Sequence, residues 1–295
     1  VQTTTTASDG SYVFNGLAAD TYFVHIPASE FTVGQPLFGL VSSLGQGAAD
    51  NTNDDNVAED GDDTEADGVS SLLYVLTADN EPTGEAGFAG TASSTSDDNN
   101  TNFTVDFGFY HPVSIGSYVW EDVNVDGLQG PAVIEPPIAG ASVQLFVDNG
   151  GTFVAARDTN GVPVPAAITL ANGLYHFDNL PPGDYQVRVT PPTGYVASPV
   201  QDTAANSDTT PADESDSNIA TEPSSGVYQS ATFTLSSLGE PIESDTAAGD
   251  NQDGTVSSNT DASGNMTVDF GFVAPLSIGS YVWHCLLYTS DAADE

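Results

Sequence analysis

Apolar and polar residues alternate along this chain in short runs bounded by Gly, Pro, Asn and Asp, the period-two pattern of strands with one buried face. In the middle of the chain the runs are 115–120, 141–147, 152–156, 166–170, 174–177, 184–189, 227–235 and 266–273. None shows helical periodicity. Many short strands punctuated by turn residues predict an all-β fold of the sandwich type. Residues 173–185, which contain Leu180-Pro181-Pro182-Gly183, read as two strands joined by a turn at Pro182-Gly183 and paired antiparallel.

The pattern repeats. Ser114-Ile115-Gly116-Ser117-Tyr118-Val119-Trp120 recurs unchanged at 277–283, an offset of 163 residues. The same offset carries Thr104-Val105-Asp106-Phe107-Gly108-Phe109 onto 267–272, and Gly10, Tyr12, Phe14, Leu17 and Tyr22 onto Gly173, Tyr175, Phe177, Leu180 and Tyr185. It falls to 159 where Leu76, Glu81 and Pro82 meet Leu235, Glu240 and Pro241, so small insertions separate the copies and later cancel. A period this long exceeds the ~20–50 residues of solenoids and propellers and has the size of an independent domain. The expected division is a C-terminal part of one repeat at 1–112, a complete repeat at 113–273 and the first strand of a third at 274–283. Residues 284–295 abandon the pattern after Trp283 and read as an extraneous tail.

Charge narrows the function. There are 42 acidic residues against two basic ones, for a formal net charge of -40, and both bases are arginines, Arg157 and Arg188. Such a field repels phosphate backbones and anionic lipid, which excludes nucleic-acid binding and peripheral membrane attachment, and it makes cations the natural partners. With 39% hydrophobic residues the chain is not an acidic disordered tail. Its one cysteine rules out an intrachain disulfide. No apolar run reaches the ~18–20 residues of a membrane helix. The acidic residues concentrate in long loops at 50–68, 201–223 and 240–265, and connections beyond ~15 residues are uncommon in compact domains unless they bind something or are disordered.

The sharpest constellation is Asp122-Val123-Asn124-Val125-Asp126-Gly127-Leu128, directly after the 115–120 run. Side-chain oxygens at positions one, three and five, glycine at six and a backbone carbonyl at seven, here that of Leu128, are how a loop wraps Ca2+. The bidentate Glu that closes such a ring at position twelve is missing, because Val133 stands there and Glu135 comes two residues late. The alternatives are a calcium loop that absorbs two extra residues and an acidic turn whose Asp and Asn side chains satisfy their own backbone. No helices flank the loop, so it is not an EF-hand proper. Weaker metal candidates are Asp213, Glu214, Asp216 and Asn218, with a counterpart cluster at Asp60, Asp62, Asp63, Glu65 and Asp67.

The stretch from Ile115 to Gln129, followed by 135–145, resembles the opening of SdrD B-like domains. Tyr175, Phe177, Leu180, Pro182-Gly183 and Tyr185 resemble their middle, shared with the wider Cna B-type, prealbumin-like group. The resemblance covers residues 1–283. It implies tandem Ig-like β-sandwich modules, stiffened by calcium and repeated as stalks on large secreted or surface-attached bacterial proteins. By matching positions it implies that Asp122, Asn124, Asp126, Leu128 (through its carbonyl) and Glu135 form the metal loop. The sequence departs at Gly130, where the family commonly carries an acidic residue. Related Cna B-type pilin domains form a Lys–Asn isopeptide bond, which a lysine-free chain cannot make.

No catalytic constellation competes. His25 and His176 fall in strands, and Asp106-Phe107-Gly108 lacks the lysine that a kinase needs. The expectation is a non-enzymatic spacer whose partners are calcium ions and neighbouring repeats. The alternative is an adhesin module that holds a glycan or matrix protein through exposed aromatics such as Tyr74, Tyr195 or Tyr228. An adhesive platform should recur in both copies, yet Tyr74 aligns with Phe233 and not with Tyr228, which favours the spacer.

Overall fold

The computed structural model describes residues 1–43, 67–82, 98–199, 217–224, 226–240 and 261–280. The chain is all-β, with three short 3-10 turns as the helical content of the described residues. The first six strands are β1 (Asp20–Tyr22), β2 (His25–Pro27), β3 (Val41–Ser42), β4 (Gly68–Ser70), β5 (Tyr74–Leu76) and β6 (Phe109–Tyr110). They form the antiparallel pairs β1·β5, β2·β4 and β3·β6.

Residues 113–273 form an Ig-like β-sandwich. Its strands are β7 (Val113–Glu121), β8 (Ser142–Asp148), β9 (Phe153–Ala155), β10 (Ala167–Ile168), β11 (Leu174–Leu180), β12 (Gly183–Thr190), β13 (Val196–Ala197), β14 (Ile219–Ser224), β15 (Val227–Ser230), β16 (Phe233–Leu235), β17 (Gly264–Asn265) and β18 (Phe270–Val273). One sheet runs β10-β8-β12-β15-β14, with β9 on β8 and β16 on β12; the other runs β11-β7-β18-β13, with β17 on β7. Alternation does its work on β12, where Tyr185, Val187 and Val189 enter the core and Arg188 stays at the surface over the Phe146 ring. From the facing sheet come Ile115, Val119, Phe177, Phe270 and Phe272. Fully burying a side chain of this kind contributes about 1.5–3 kcal/mol.

The predicted hairpin at 173–185 does not form. β11 pairs with β7, whereas β12 pairs with β8, β15 and β16, so the two belong to opposite sheets. The cause lies in the connection. Pro181 and Pro182 have no amide hydrogen to offer a ladder, Asn179 takes a positive φ of 57°, and the buried Leu180 and Tyr185 anchor either side of the corner. The Tyr185 hydroxyl donates back to the Pro181 carbonyl (2.6 Å) and fixes the crossing.

Several hydrogen bonds recur at equivalent positions of the sequence repeat. Tyr22 donates to the Ala18 carbonyl as Tyr185 does to that of Pro181, and Tyr12 donates to Val105 as Tyr175 does to Val268. The amide of Val24 donates to Ser71 Oγ, that of Val187 to Ser230 Oγ. Buried Glu81 accepts the Thr77 amide and the Asn102 side-chain amide, and buried Glu240 does the same with Ser236 and Asn265. Each clamp ties together residues far apart in sequence, 21 positions for Glu81 and Asn102 and 25 for Glu240 and Asn265. Burial pushes the Glu240 carboxyl above its ordinary range, opposed by these two hydrogen bonds. A third offset, 155, emerges at β3 and β13, where Ser43 donates to Gly108 as Ser198 does to Gly271.

Two outcomes follow from this packing. Asn265→Ala strips a partner from Glu240 and an acceptor from the Thr267 amide, both buried. It should cost about 2–6 kcal/mol in urea unfolding followed by tryptophan fluorescence, at 1–3 kcal/mol per unsatisfied group. His176, counterpart of Val13, has its Nε2 shut off from solvent with no hydrogen-bond partner. Burial lowers its pKa, and Asp178 opposes that. The folded state therefore favours neutral imidazole, while the unfolded chain takes up a proton near ~6.5. Stability should fall as pH drops through that range. The difference in urea midpoint between pH 8 and pH 5.5 should be smaller in His176→Val than in the parent; equal differences would contradict it.

Candidate metal centre

β7 delivers its last residues to a crowded corner. Its parallel ladder with β18 continues past the strand, where the Asp122 amide donates to the Phe272 carbonyl (2.7 Å), so the first acidic side chain of the loop is fixed by sheet pairing. The loop then reverses through Val125 (φ 62°) and Gly127 (φ 78°), both left-handed. Pairing of Trp120 with Pro137 and of the Glu121 amide with the Pro136 carbonyl (2.9 Å) brings back the return limb.

This geometry gathers Asp122, Asp126 and Glu135, each with a carboxylate oxygen within 4.8 Å of the others'. Asp122 and Glu135 are buried to 1% and 0% exposure, while Asp126 is at the surface. The two residues by which Glu135 comes late are absorbed in one tight turn. The amides of Ile134 and Glu135 both donate to the Pro131 carbonyl (2.7 and 3.0 Å), leaving Val133 outside. The Gly130 amide donates to Glu135 Oε2, and a Cβ there would stand 2.8 Å from that same oxygen, so a side chain at 130 would have to displace the Glu135 carboxylate.

The carboxylate oxygens divide into occupied and under-used. Asp122 Oδ2 accepts from the Gly127 amide (2.9 Å) and the Ser198 hydroxyl (2.5 Å), whereas Oδ1 has one long bond, from the Asp126 amide at 3.2 Å. Glu135 Oε2 is taken by Gly130, and Oε1 has only a 3.4 Å contact from the Asn124 amide. Asn124 turns its own Nδ2 to Asp126 Oδ2 (2.9 Å) and its Oδ1 to the Asp126 amide (3.0 Å). Leu128 donates its amide to Asp126 Oδ1 (2.9 Å).

No basic side chain serves this cluster among the described residues. Arg188 lies over Phe146 and donates to Gln229, and Arg157 donates to the Gly161 carbonyl. If ionised together, two buried carboxylates beside a third call for a counter-charge, since burial of an uncompensated ion costs several kcal/mol. An all-oxygen donor set at a strand end is hard-cation chemistry, and Ca2+ fits it better than softer metals.

The other predicted ligands fare differently. Asn218 goes to Asp269, its Oδ1 accepting the Asp269 amide (2.6 Å) and its own amide donating to the Asp269 carbonyl (2.9 Å). Asp213, Glu214, Asp216, Asp60, Asp62, Asp63 and Glu65 lie outside the described residues, and Asp67 is exposed. Of the aromatics proposed as an adhesive platform, Tyr74 and Tyr228 are buried at 7% and 6% exposure, so neither is available at the surface; they fill the core because their strands point them inward. Tyr195 donates to Glu121 Oε2 (3.2 Å) beside the loop. Ser198 and Ser217, whose amide donates to the Gly127 carbonyl (3.1 Å), were not anticipated. The visible signal for Ser198 is its equivalence to Ser43, at an offset that the 163 and 159 alignments skip.

The sequence model of the SdrD B-like domain matches residues 113–232. Among curated proteins, the chain is 29% identical over 196 residues to serine-aspartate repeat-containing protein F of Staphylococcus epidermidis, covering 66% of this chain and 9% of that protein. It is 31% identical over 196 residues to protein I of Staphylococcus saprophyticus (66% of this chain, 8% of that protein). It is 28% identical over 287 residues to protein D of Staphylococcus aureus (96% and 14%). The chain thus spans less than a sixth of the length of these relatives. Residues 113–232 are the part of the chain that is similar to the SdrD B-like domain family.

Proposed function

We propose that this chain is a run of structural repeats from a secreted or cell-surface bacterial protein, serving as a calcium-stabilised stalk that spaces other parts of that protein from the cell. The repeats divide at 1–112, 113–273 and 274–283, and residues 284–295, outside the described residues, are extraneous to them. The observation that carries the spacer role is the parallel pairing of the first and last strands of the sandwich, with Phe270, Gly271 and Phe272 beside Val119, Trp120 and Glu121. Parallel neighbours start at the same end. The chain therefore enters at one end of the module and leaves at the other, about 25–30 Å away at ~3.3 Å per strand residue, and successive modules extend instead of folding back.

Calcium is held by Asp122, Asp126 and Glu135, with Asn124 and the Leu128 carbonyl as further ligands once the Asn124 amide releases Asp126. The ion supplies the positive charge that this lysine-free chain lacks. The Asp213, Glu214, Asp216 and Asp60, Asp62 clusters are candidate secondary sites that the acidic composition supports. A glycan- or matrix-binding role has less support, because Tyr74 and Tyr228 are in the core.

Calcium at ten times its Kd adds roughly 1.4 kcal/mol per site by mass action. The melting midpoint of the 295-residue chain should rise by ~3–6 °C between EGTA and calcium. Asp122→Ala should lower stability in EGTA and remove the part of the rise that this site contributes. An identical midpoint in EGTA and millimolar calcium would remove metal from the account.

A further inference from the structure

The junction between repeats is as short as two strands allow. β6 ends at Tyr110 and β7 begins at Val113, so only His111 and Pro112 connect the two. Both neighbours are anchored. Phe109 packs its ring against Phe31 (5.6 Å between centroids), Tyr110 pairs with Val41, and β7 is hydrogen-bonded along both edges within its sheet. Of the torsions that could swing one repeat against the other, φ of Pro112 is fixed by its ring, and ψ of His111 is confined to extended values because a proline follows.

The remaining freedom meets a hydrogen bond from the downstream repeat. The Ser237 hydroxyl, on the turn that follows β16, donates to the His111 carbonyl at 2.6 Å. The joint is packed and not a solvated tether: Pro112 and Val113 are buried, and His111 Nδ1 is shut off from solvent. Tyr110 lies near enough to Tyr185, on the corner between β11 and β12, to reinforce the upward pKa shift that burial gives that phenol. The equivalent turn of the first copy carries Ala78 in place of Ser237, so the turn does not need the hydroxyl for its own folding. The Xaa-Pro pair itself recurs as Ala274-Pro275 where the second copy ends.

We infer that Pro112 and the Ser237–His111 contact form an inter-repeat interface that sets the angle between consecutive modules without calcium. The inference rests on the spacer role proposed above, and it relocates the stiffness. The carboxylate cluster begins at the far end of β7 from the joint, nine strand residues away, so an ion held there steadies the module and not this connection.

The test is a spin-label distance distribution between Gln35→Cys and Asn149→Cys, both exposed and on opposite sides of the joint, in the full chain with Cys285→Ser. The expected result is one narrow distribution, unchanged between EGTA and calcium. Ser237→Ala should make it roughly twofold wider, the ordinary state of domains without a fixed interface, and Pro112→Gly wider still. Ser237→Thr, which keeps the hydroxyl, should restore the parent width. Native Trp120 fluorescence in each variant separates a loosened joint from an unfolded module. A parent distribution that is already broad, or one that Ser237→Ala leaves untouched, overturns the inference. Broadening in EGTA alone would also overturn it while strengthening the case for a cation, so the two proposals fail separately.

Discussion

The sandwich is organised around a single strand buried on both faces and paired on both edges. Val113, Ile115 and Val119 of β7 enter the main core, while Tyr118 and Trp120 pack with Leu174 on the other side. β11 runs antiparallel along one edge, β17 and β18 parallel along the other. Such a strand has no room to spare: a Cβ on Gly116 would stand 2.8 Å from the Tyr175 carbonyl oxygen and 2.9 Å from the Met266 sulfur. Because β7 is pinned along its length, the residues at its two ends inherit fixed positions. At one end sits the joint with the preceding strand, at the other Asp122 and its neighbours. The separation between them is a property of sheet geometry, which is why the proposed stiffness of the joint and the proposed cation site can be independent.

A chain with 42 acidic residues and two basic ones must place nearly all of its carboxylates without salt bridges. It does so with backbone amides. At the surface, Asp158 accepts from the amides of Asn160 and Val162, and Asp148 from that of Gly151, closing turns. In the interior Glu81 and Glu240 each take one backbone amide and one asparagine side chain. Neutral donors suffice for an isolated buried carboxylate, at the cost of a raised pKa such as that of Glu240. Three carboxylates in one corner, two of them buried, separate the Asp122 loop from every other acidic feature among the described residues.

Much of this architecture can be read from sequence, because period-two alternation and a repeated register are local or self-referential signals. The eight predicted runs overlie strands β7 to β12, β15, β16 and β18, and Val268, Phe270 and Phe272 fill the core. The sheet to which a strand belongs is a long-range fact. Residues 173–185 have the composition of a hairpin, and only the partners of β11 and β12 reveal a crossing between sheets. β13 and β14 escape notice because the first is two residues long and the second, with Thr221, Glu222 and Ser224, lies on a sheet edge. Asp122, Asn124 and Asp126 announce themselves by spacing. Glu135 does not, since its place depends on the Pro131 turn, and Ser198 reaches Asp122 across 76 residues.

The central physical claim is that a divalent ion supplies the positive charge at the far end of β7. Crystals of the 295-residue chain grown in calcium test it most directly. The account predicts an anomalous peak within ~2.3–2.6 Å of oxygens from Asp122, Asp126 and Glu135, with the Asn124 amide turned away from Asp126. A well-ordered loop that shows no peak, with Asn124 still donating to Asp126, would contradict it.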